Sequence, residues 1–511
     1  MATLNELITG LQFEVLKGST SCELAGITAD SRAVQAGWAF VAISGMKADG
    51  HTFIAQALAQ GAIALVVDQP IDLTAAASAC CLRVPDSRQA LAHLAAAFFG
   101  HPSRQLHLIG VTGTNGKTTS TYLLEAVLQS HGLAPGVIGT VTYRYAGHEW
   151  PADQTTPAAE EVQRMLREMV DAGALSCAME VSSHALAQHR VWGCQFAAAL
   201  FTNLTQDHLD YHADMAAYFA AKAQLFTTYQ PGIAVLNYDD PVGEKLRHAA
   251  RARVITYGFS SASDVSVEHL EMDASGIDLT ARFGQQAVKV RSQLLGRHNV
   301  YNILGVLATA HGLDLEIERT VQGIERLRTV PGRFERVDRG QPFSVLVDYA
   351  HSDDALRNVL QAARGIVTGR ILVVFGAGGD RDRGKRPRMG RVAAQYADMA
   401  VITSDNPRSE VPMAIIRAIE AGFRDIGHAS QYRLIEDRAR AIHAAVGLAR
   451  AGDVVVIAGK GHETYQIVGD KHVAFDDREV AVQALQGLGY ESMSTDLLSG
   501  ERSDPLVRTP R

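Results

Sequence analysis

Cysteine is scarce in this 511-residue chain and does not pair: Cys22, Cys80, Cys81, Cys177 and Cys194 form an odd set with no C-x-x-C and no His/Cys cluster at zinc spacing. That excludes a disulfide framework and a structural zinc site, and fits a reducing compartment. Long apolar runs are also missing. Although 47% of the residues are hydrophobic, no uncharged stretch approaches the ~18 residues of a membrane span. The segment Met1 to Leu11 holds Glu6 and no Lys or Arg, so a secretory signal with a basic start is not expected. Positive charge is not in excess either: a net charge of -7 argues against a general nucleic-acid binder. The expectation is a cytoplasmic globular protein of about three domains, on a prior of roughly 100 to 200 residues each.

Two absent glycines narrow the chemistry. In Gly110 to Thr119, GVTGTNGKTT, the position five residues before Gly116-Lys117 is Val111 where a phosphate loop usually has glycine, so Gly113 and Gly116 must carry the turn. In Phe375 to Asp380, FGAGGD resembles a dinucleotide turn, but its sixth-position glycine would fall at Arg381, which disfavours a nicotinamide site.

What is present at Gly110 still reads as a phosphate-binding loop. An apolar run (Leu106, Leu108, Ile109, Val111) precedes it and a helix-like segment (Tyr122, Leu123, Leu124, Val127, Leu128) follows. Backbone N–H groups and the positive helix end can cradle a polyphosphate, Lys117 can reach its terminal oxygens, and the Thr118 hydroxyl can hold Mg²⁺.

Around this loop the pattern is α/β. Short apolar runs (Trp38 to Ile43, Ile63 to Val67) alternate with alanine-rich stretches up to Ala90–Phe99, and Gly100-His101-Pro102-Ser103 closes a first domain, 1–101. A second, 102–329, has strand-like segments at Ala178 to Val181, Ala198 to Thr202 and Ile233 to Leu236. Between about Ala252 and Arg291 it makes an antiparallel excursion, and a helix follows over Val300 to His311. After Val330-Pro331-Gly332 a third, 330–490, alternates the runs Phe343 to Val347, Ile371 to Phe375, Met399 to Thr403 and Val454 to Ile457 with helix-like segments, as in a doubly wound sheet. Residues 491–511 are polar and aperiodic, and a disordered tail is expected there.

Polar constellations follow the strands, where open parallel sheets collect their ligands. Glu180, in MEVSSH, can meet a metal directly or through water, or serve as a helix cap. The segment Thr202 to His212, TNLTQDHLDYH, packs several ligand-type side chains into eleven residues. Lys222 lies in a helical stretch among aromatic and aliphatic residues, and its periodicity alone favours an amphipathic lysine reaching for solvent. Asp348-Tyr349-Ala350-His351, Asp405-Asn406-Pro407-Arg408 and Gly459-Lys460-Gly461-His462-Glu463 each follow a strand and together outline a pocket. The basic run Arg381 to Arg388, RDRGKRPR, is either a solvated loop or a site for a small anion.

TGTNGKT (Thr112 to Thr118), MEVSSHALAQHR (Met179 to Arg190), TNLTQDHLDYH, GRHNVYN (Gly296 to Asn302), PGRFE (Pro331 to Glu335), DYAH and GKGHE occur in this order, and in them the chain resembles the Mur ligases over nearly its whole length to about residue 490. The resemblance implies a three-domain α/β architecture: an N-terminal UDP-binding unit, a central phosphate-loop ATPase and a C-terminal Rossmann-like unit that brings an amino acid. It implies ATP contacts at Thr112, Gly113, Thr114, Asn115, Gly116, Lys117, Thr118, Asn299, Asp348 and His351. It implies Mg²⁺ at Thr118, Glu180, His208 and Lys222, the last carbamylated to N6-carboxylysine, with Lys117, Lys222, His208 and Arg333 catalytic. On the UDP-sugar side it implies Ala29, Ser31, Gln154, Thr155, Thr156, Ser182, Gln188 and Arg190. Three places depart from the commoner pattern: Met46-Lys47 stands for His-Gln, Gln154 for Asn, and Ser352-Asp353 for Thr-Pro.

The amino acid is where physical argument adds to the resemblance. DNPR, Asp405 to Arg408, looks like the version of the family motif that takes meso-2,6-diaminopimelate, which differs from L-lysine by a carboxylate at the far end. Arg408 offers a planar fork for that carboxylate and Asp405 can pair with an amino group. Lysine would leave the guanidinium unpaired, at a cost of several kcal/mol, on the order of a thousandfold in discrimination. Asn406, Pro407, Arg381, Gly459 and Glu463 match further contacts to the same amino acid. The expected activity is an ATP-dependent ligation of meso-2,6-diaminopimelate to UDP-N-acetylmuramoyl-L-alanyl-D-glutamate through an acyl phosphate, by a cytoplasmic monomer in peptidoglycan precursor synthesis. An L-lysine-adding member, a folylpolyglutamate synthase and a nucleotide-switched binding protein are the other readings; the DNPR turn and the UDP-side matches weigh against the first two, and strict dependence on a UDP-sugar and an amine would exclude the third.

Overall fold

Short runs of bulky aliphatic residues with no polar face make strands buried on both sides, and helices supply the charged surface. The computed structural model describes residues 2–45, 48–72, 74, 79–273, 275–426 and 431–491. The expected tail, from 492 on, and Met46-Lys47 lie outside them. The chain forms two compact units, Met1–Val330 and Pro331–Arg511.

The first unit holds two large sheets. A five-stranded sheet in its N-terminal part pairs Gly26–Thr28, Trp38–Val41, Ala64–Val67 and Cys80–Arg83 in parallel, with Glu14–Lys17 antiparallel at its edge. Its helix Ser87–Phe98, capped by Asp86, packs against the helix Ala159–Asp171.

The second sheet has eleven strands, and its centre places the phosphate loop. His107–Thr112 runs between Ser176–Glu180 and Ala198–Phe201, parallel to both, so the carboxyl ends of all three open on one rim. The helices Lys117–Ser130 and Arg297–Gly312 cover one face, with Leu123, Leu124, Val127, Ile303, Leu304 and Leu307 in the core. The sequence reading of an antiparallel excursion from Ala252 needs correction. Arg253–Gly258 pairs in parallel with Ile233–Asn237, and antiparallel pairing begins only with Val265–Asp273, which goes on through Gly276–Phe283 to Gln286–Ser292 in the same sheet. The alternation read in this segment belongs to those three strands, whose outer positions are polar and exposed.

The second unit is the doubly wound sheet expected. Its parallel strands are ordered Ser344–Asp348, Val454–Ala458, Ile371–Phe375, Met399–Ile402 and Gln431–Leu434, with Glu335–Arg336 antiparallel at the edge. Every residue of Ile371–Phe375 is fully buried, at about 1.5–3 kcal/mol for each large apolar side chain. The direction of progress reverses after the fourth strand, so that the last, Val454–Ala458, inserts between the first and second, and the turns after Asp348, Phe375, Ile402 and Ala458 gather on the carboxyl rim.

Candidate active site

The phosphate loop is shaped by two glycines in left-handed or extended positive-φ conformations, Gly113 at 151° and Gly116 at 88°. A Cβ at Gly113 would overlap Thr202 Oγ1, and one at Gly116 would overlap Asn302 Oδ1. Segment 202–205 holds the loop from outside. Thr114 N–H donates to Asn203 O at 2.9 Å, Asn115 N–H to Asn203 Oδ1 at 2.9 Å, and Thr202 Oγ1 to Asn115 O at 2.6 Å. The polar crowding read in TNLTQDHLDYH thus serves in part as backbone scaffolding.

Two lysines meet over the loop. Lys117 Nζ donates to the carbonyls of Gly113 and Thr114, both at 2.9 Å. Lys222, on the helix Met215–Thr227, is 2% exposed and donates from Nζ to Gly113 O at 2.8 Å, with its ammonium 4.7 Å from the Tyr218 ring centre. The solvent-seeking lysine suggested by periodicity is therefore corrected: the side chain points inward. Burial first, then the neighbouring Lys117 charge, push its pKa well below the ordinary lysine value, which favours a neutral amine.

Below the loop, Thr118 Oγ1 donates to Glu180 Oε2 at 3.2 Å in a buried setting. Thr140 donates to the same carboxylate from its N–H and its hydroxyl, each at 2.9 Å. A hydroxyl and a carboxylate side by side are hard oxygen donors suited to Mg²⁺. Among the described residues no group of three or more His, Cys, Asp or Glu converges on one point. A divalent ion here fits only if phosphate oxygens and water complete its shell, as Mg²⁺ prefers. His208, at φ 55°, sits with its ring 5.0 Å from that of His184. Burial pushes the pKa of both down to about 4, so both imidazoles are neutral at pH 7.

The residues expected on the UDP-sugar side form a second cluster. Arg190 donates to Thr156 O at 2.7 Å, to Gln188 Oε1 at 3.1 and 2.8 Å, and to the Gln154 side-chain carbonyl. Thr156 Oγ1 donates to Glu180 O at 2.8 Å and accepts from Ser182 N–H at 3.1 Å, while Thr155 and Thr140 hydroxyls lie 3.1 Å apart. The cluster is thereby tied to Glu180 through one strand end. Ser31 donates to Gln56 at 3.1 Å, and Ala29 N–H reaches Glu160 Oε1 at 3.5 Å. Asn299 is buried, donating to Leu295 O and accepting from Asn302, both at 2.8 Å; here it ties the helix start to its own preceding turn.

In the second unit, Asp348 is buried and accepts from Phe334 N–H at 2.7 Å and Ala350 N–H at 2.8 Å, so it fixes the backbone that carries Arg333. Burial raises its pKa while the Arg333 charge opposes the rise. The Arg333 guanidinium lies 4.7 Å from the Tyr349 ring centre, and the Tyr349 ring neighbours those of His351 and His462. His351 Nδ1 lies 2.9 Å from Tyr349 O.

The remaining residues expected at the amino acid meet at two turns. Asp405 Oδ1 accepts from Asn406 N–H at 2.7 Å, whereas Oδ2 is buried and accepts no hydrogen bond from the described residues. A Cβ on Gly459 would overlap that oxygen. Burial raises the Asp405 pKa, but Arg438 and Lys460 outweigh it and hold the carboxylate below its ordinary value. Arg408 Nη1 donates to Gly379 O at 2.8 Å, and a Cβ on Gly378 would lie 2.9 Å from Arg408 Nη1 and 3.6 Å from Arg381 Cγ, so both arginines flank one glycine. Pro407 O lies against Gly379, where a Cβ would overlap it.

Sequence reasoning missed the supports. Lys460 is fully buried and bridges Asn406 Oδ1 (3.1 Å) and Glu463 Oε2 (2.8 Å). Arg438 and Asp477, both fully buried, pair through two 2.7 Å bonds, and Arg438 also donates to Ser404 O and Ala458 O. A lysine inside GKGHE was a visible signal; nothing local marks Arg438 or Asp477.

Fold and site together define a phosphate-loop α/β protein with a Rossmann-like second unit. Sequence models described as Mur ligase family, catalytic domain, Mur ligase middle domain, and Mur ligase, glutamate ligase domain match residues 23–99, 111–310 and 332–461. The chain is 47% identical over 475 residues to the UDP-N-acetylmuramoyl-L-alanyl-D-glutamate--2,6-diaminopimelate ligase of Solibacter usitatus (strain Ellin6076), covering 92% of this chain and 94% of that protein. The protein of the same name from Geobacter metallireducens (strain ATCC 53774 / DSM 7210 / GS-15) is 45% identical, with 92% and 96% covered. A solved structure of a UDP-N-acetylmuramoyl-L-alanyl-D-glutamate--2,6-diaminopimelate ligase superposes with a TM-score of 0.69 at 32% identity, covering 96% of this chain and 99% of that one. The chain belongs to the Mur ligase family.

Proposed function

We propose that the chain is an ATP-dependent amide ligase that joins meso-2,6-diaminopimelate to the D-glutamate of UDP-N-acetylmuramoyl-L-alanyl-D-glutamate, as a monomer in cytoplasmic peptidoglycan precursor synthesis. The relatives that bear this activity in their names support the reaction. The observation that carries the choice of amine is the Asp405 carboxylate, whose buried Oδ2 accepts no hydrogen bond from the described residues, in the same turn as the Arg408 fork. An ammonium and a carboxylate at the two ends of one ligand complement such a pair.

A carboxylate is a poor electrophile, so it must first be activated. The γ-carboxylate of D-glutamate attacks the γ-phosphorus of ATP, ADP leaves, and an acyl phosphate results. The amine then adds to its carbonyl carbon, loses a proton and expels phosphate. In the first step the loop N–H groups and Lys117 bind and neutralise phosphate oxygens, and Arg333 adds positive charge. Mg²⁺, which Thr118, Glu180 and His208 would hold, would supply further charge neutralisation. The low pKa of Lys222 leaves a free amine that can add to CO₂: a C–N bond forms, a proton leaves, and a carbamate anion replaces the neutral amine. Such a group is a hard oxygen donor beside the loop.

On the other side, Arg190 with Gln154, Thr155, Thr156, Ser182 and Gln188 binds the UDP-sugar peptide, and Ala29 and Ser31 its nucleotide. Arg381, Asn406, Pro407, Gly459 and Glu463 complete the amino-acid site, and Asp348, His351 and Asn299 contact ATP. Phosphate release from ATP with the UDP-sugar peptide present, compared for meso-diaminopimelate, L-lysine and no amine, tests the reading. Turnover with diaminopimelate and a tripeptide product of the right mass is expected; turnover with lysine, or without any amine, would overturn it.

A further inference from the structure

The two arginines of the amino-acid site sit on separate turns, so something must fix their spacing. Arg381 follows the turn after Ile371–Phe375, and Arg408 follows the turn after Met399–Ile402. Each turn contains a non-glycine residue in the left-handed region next to or at its arginine, Asp380 at φ 54° and Arg408 at φ 51°. Such residues cost on the order of 1 kcal/mol each and persist only where their surroundings hold them.

The hold is a side-chain lattice across the two turns. Ser409 donates to Asp380 from its hydroxyl at 2.7 Å and from its N–H at 3.2 Å. Asp380 N–H donates to Glu410 Oε1 at 2.8 Å. Glu410 is gripped in turn by Arg386 through a two-pronged pair at 2.9 and 2.8 Å, with the Arg386 side chain 4% exposed and Glu410 14%. Gly379 N–H donates to Asn406 O at 2.9 Å, and the absence of side chains at Gly378 and Gly379 lets the turns touch.

We propose that Asp380, Arg386, Ser409 and Glu410 are positioning residues that set the distance between the Arg381 and Arg408 guanidiniums, and so the length of dicarboxylic amino acid the site accepts. They act through the arginines and touch no substrate. The inference rests on the amino-acid reading given above. Carboxylate recognition by a guanidinium fork depends on planar alignment, so a loosened brace costs affinity for the amine substrate and leaves the phosphate chemistry alone.

The test uses Ser409→Ala, Ser409→Thr and Glu410→Gln in the full chain. The KM for meso-diaminopimelate is expected to rise by about tenfold or more in Ser409→Ala and Glu410→Gln, with kcat and the KM for ATP near the parent values. Ser409→Thr, which keeps the hydroxyl, should return most of the loss. Amide exchange at Asp380 and Ser409 should quicken in the two damaging variants. An unchanged diaminopimelate KM in both folded variants overturns the brace, as does a fall in kcat matched by a rise in the ATP KM. If the parent protein turns over with another amine, the amino-acid reading fails by itself and the variants are scored on that amine; unaltered exchange at both amides then sinks the brace.

Discussion

Lys222 Nζ and Lys117 Nζ donate to one oxygen, the carbonyl of Gly113, at 2.8 and 2.9 Å. Two ammonium groups on one acceptor repel, and the buried one yields its proton more readily. A carbamate at Lys222 would turn this repulsion into attraction. Lys222→Ala should therefore lower kcat by on the order of a hundredfold, and added short carboxylic acids should restore part of it by placing a carboxylate where the carbamate stood. If no acid rescues a variant shown to be folded, the carbamate role is wrong.

Arg408→Lys keeps the charge and loses the fork. With one donor direction in place of two, the KM for diaminopimelate should rise on the order of a hundredfold, with the KM for ATP unchanged. The ratio of diaminopimelate to L-lysine turnover should fall in parallel. Equal loss on both amines would show that Arg408 supports the turn and does not read the far carboxylate.

Much of this arrangement is legible in the sequence because parallel strands buried on both faces are continuous apolar runs. Ile371–Phe375 is read to the residue, and the phosphate loop announces both its strand and its helix. The edge strand Gln431–Leu434 escaped because an edge carries polar, half-exposed residues and looks like a loop. So did the hairpin Tyr465–Val468 and Lys471–Ala474, whose turn at Gly469 (φ 58°) follows GKGHE closely. That hairpin matters to the site, since Arg408 N–H donates to Ile467 O at 3.0 Å and Arg408 O accepts from Gly469 N–H at 2.9 Å. Lys222 shows a deeper limit: helical periodicity says which face a residue shares, but the loop carbonyl that receives its ammonium comes from a segment 109 residues away in sequence.

Gly113 has no spare room. Its φ of 151° lies where side chains are strained, and a Cβ would overlap Thr202 Oγ1, which itself donates to Asn115 O at 2.6 Å. Gly113→Ala should push Thr202 away, break that bond and twist the loop N–H groups out of line. ATP turnover should be lost, and ADP should no longer raise the thermal midpoint. A variant that still gains stability with ADP would mean that the loop tolerates the displacement.

Glu160 gives a pH test away from the chemistry. Its Oε1 accepts a long 3.5 Å bond from Ala29 N–H, and its Oε2 is buried without a partner among the described residues. Burial raises its pKa above the ordinary 4.5; hydrogen bonds from its own N–H and from Ala29 N–H oppose the rise, and the charges of Glu161 and Asp30 add to it. Its place in the first turn of the helix Ala159–Asp171 also favours the anion, but only in part. A carboxyl that holds its proton more tightly when folded gains stability as pH falls and loses it as pH rises from about 4.5 through the raised value. Above that window the full penalty is present. Glu160→Gln removes the ionisation and keeps the shape, so its thermal midpoint should exceed that of the parent at pH 7.5, with the gap closing as pH falls through the raised value towards about 4.5. Midpoints measured from pH 4 to 8 decide it: a gap independent of pH would assign the effect to packing and not to the buried charge.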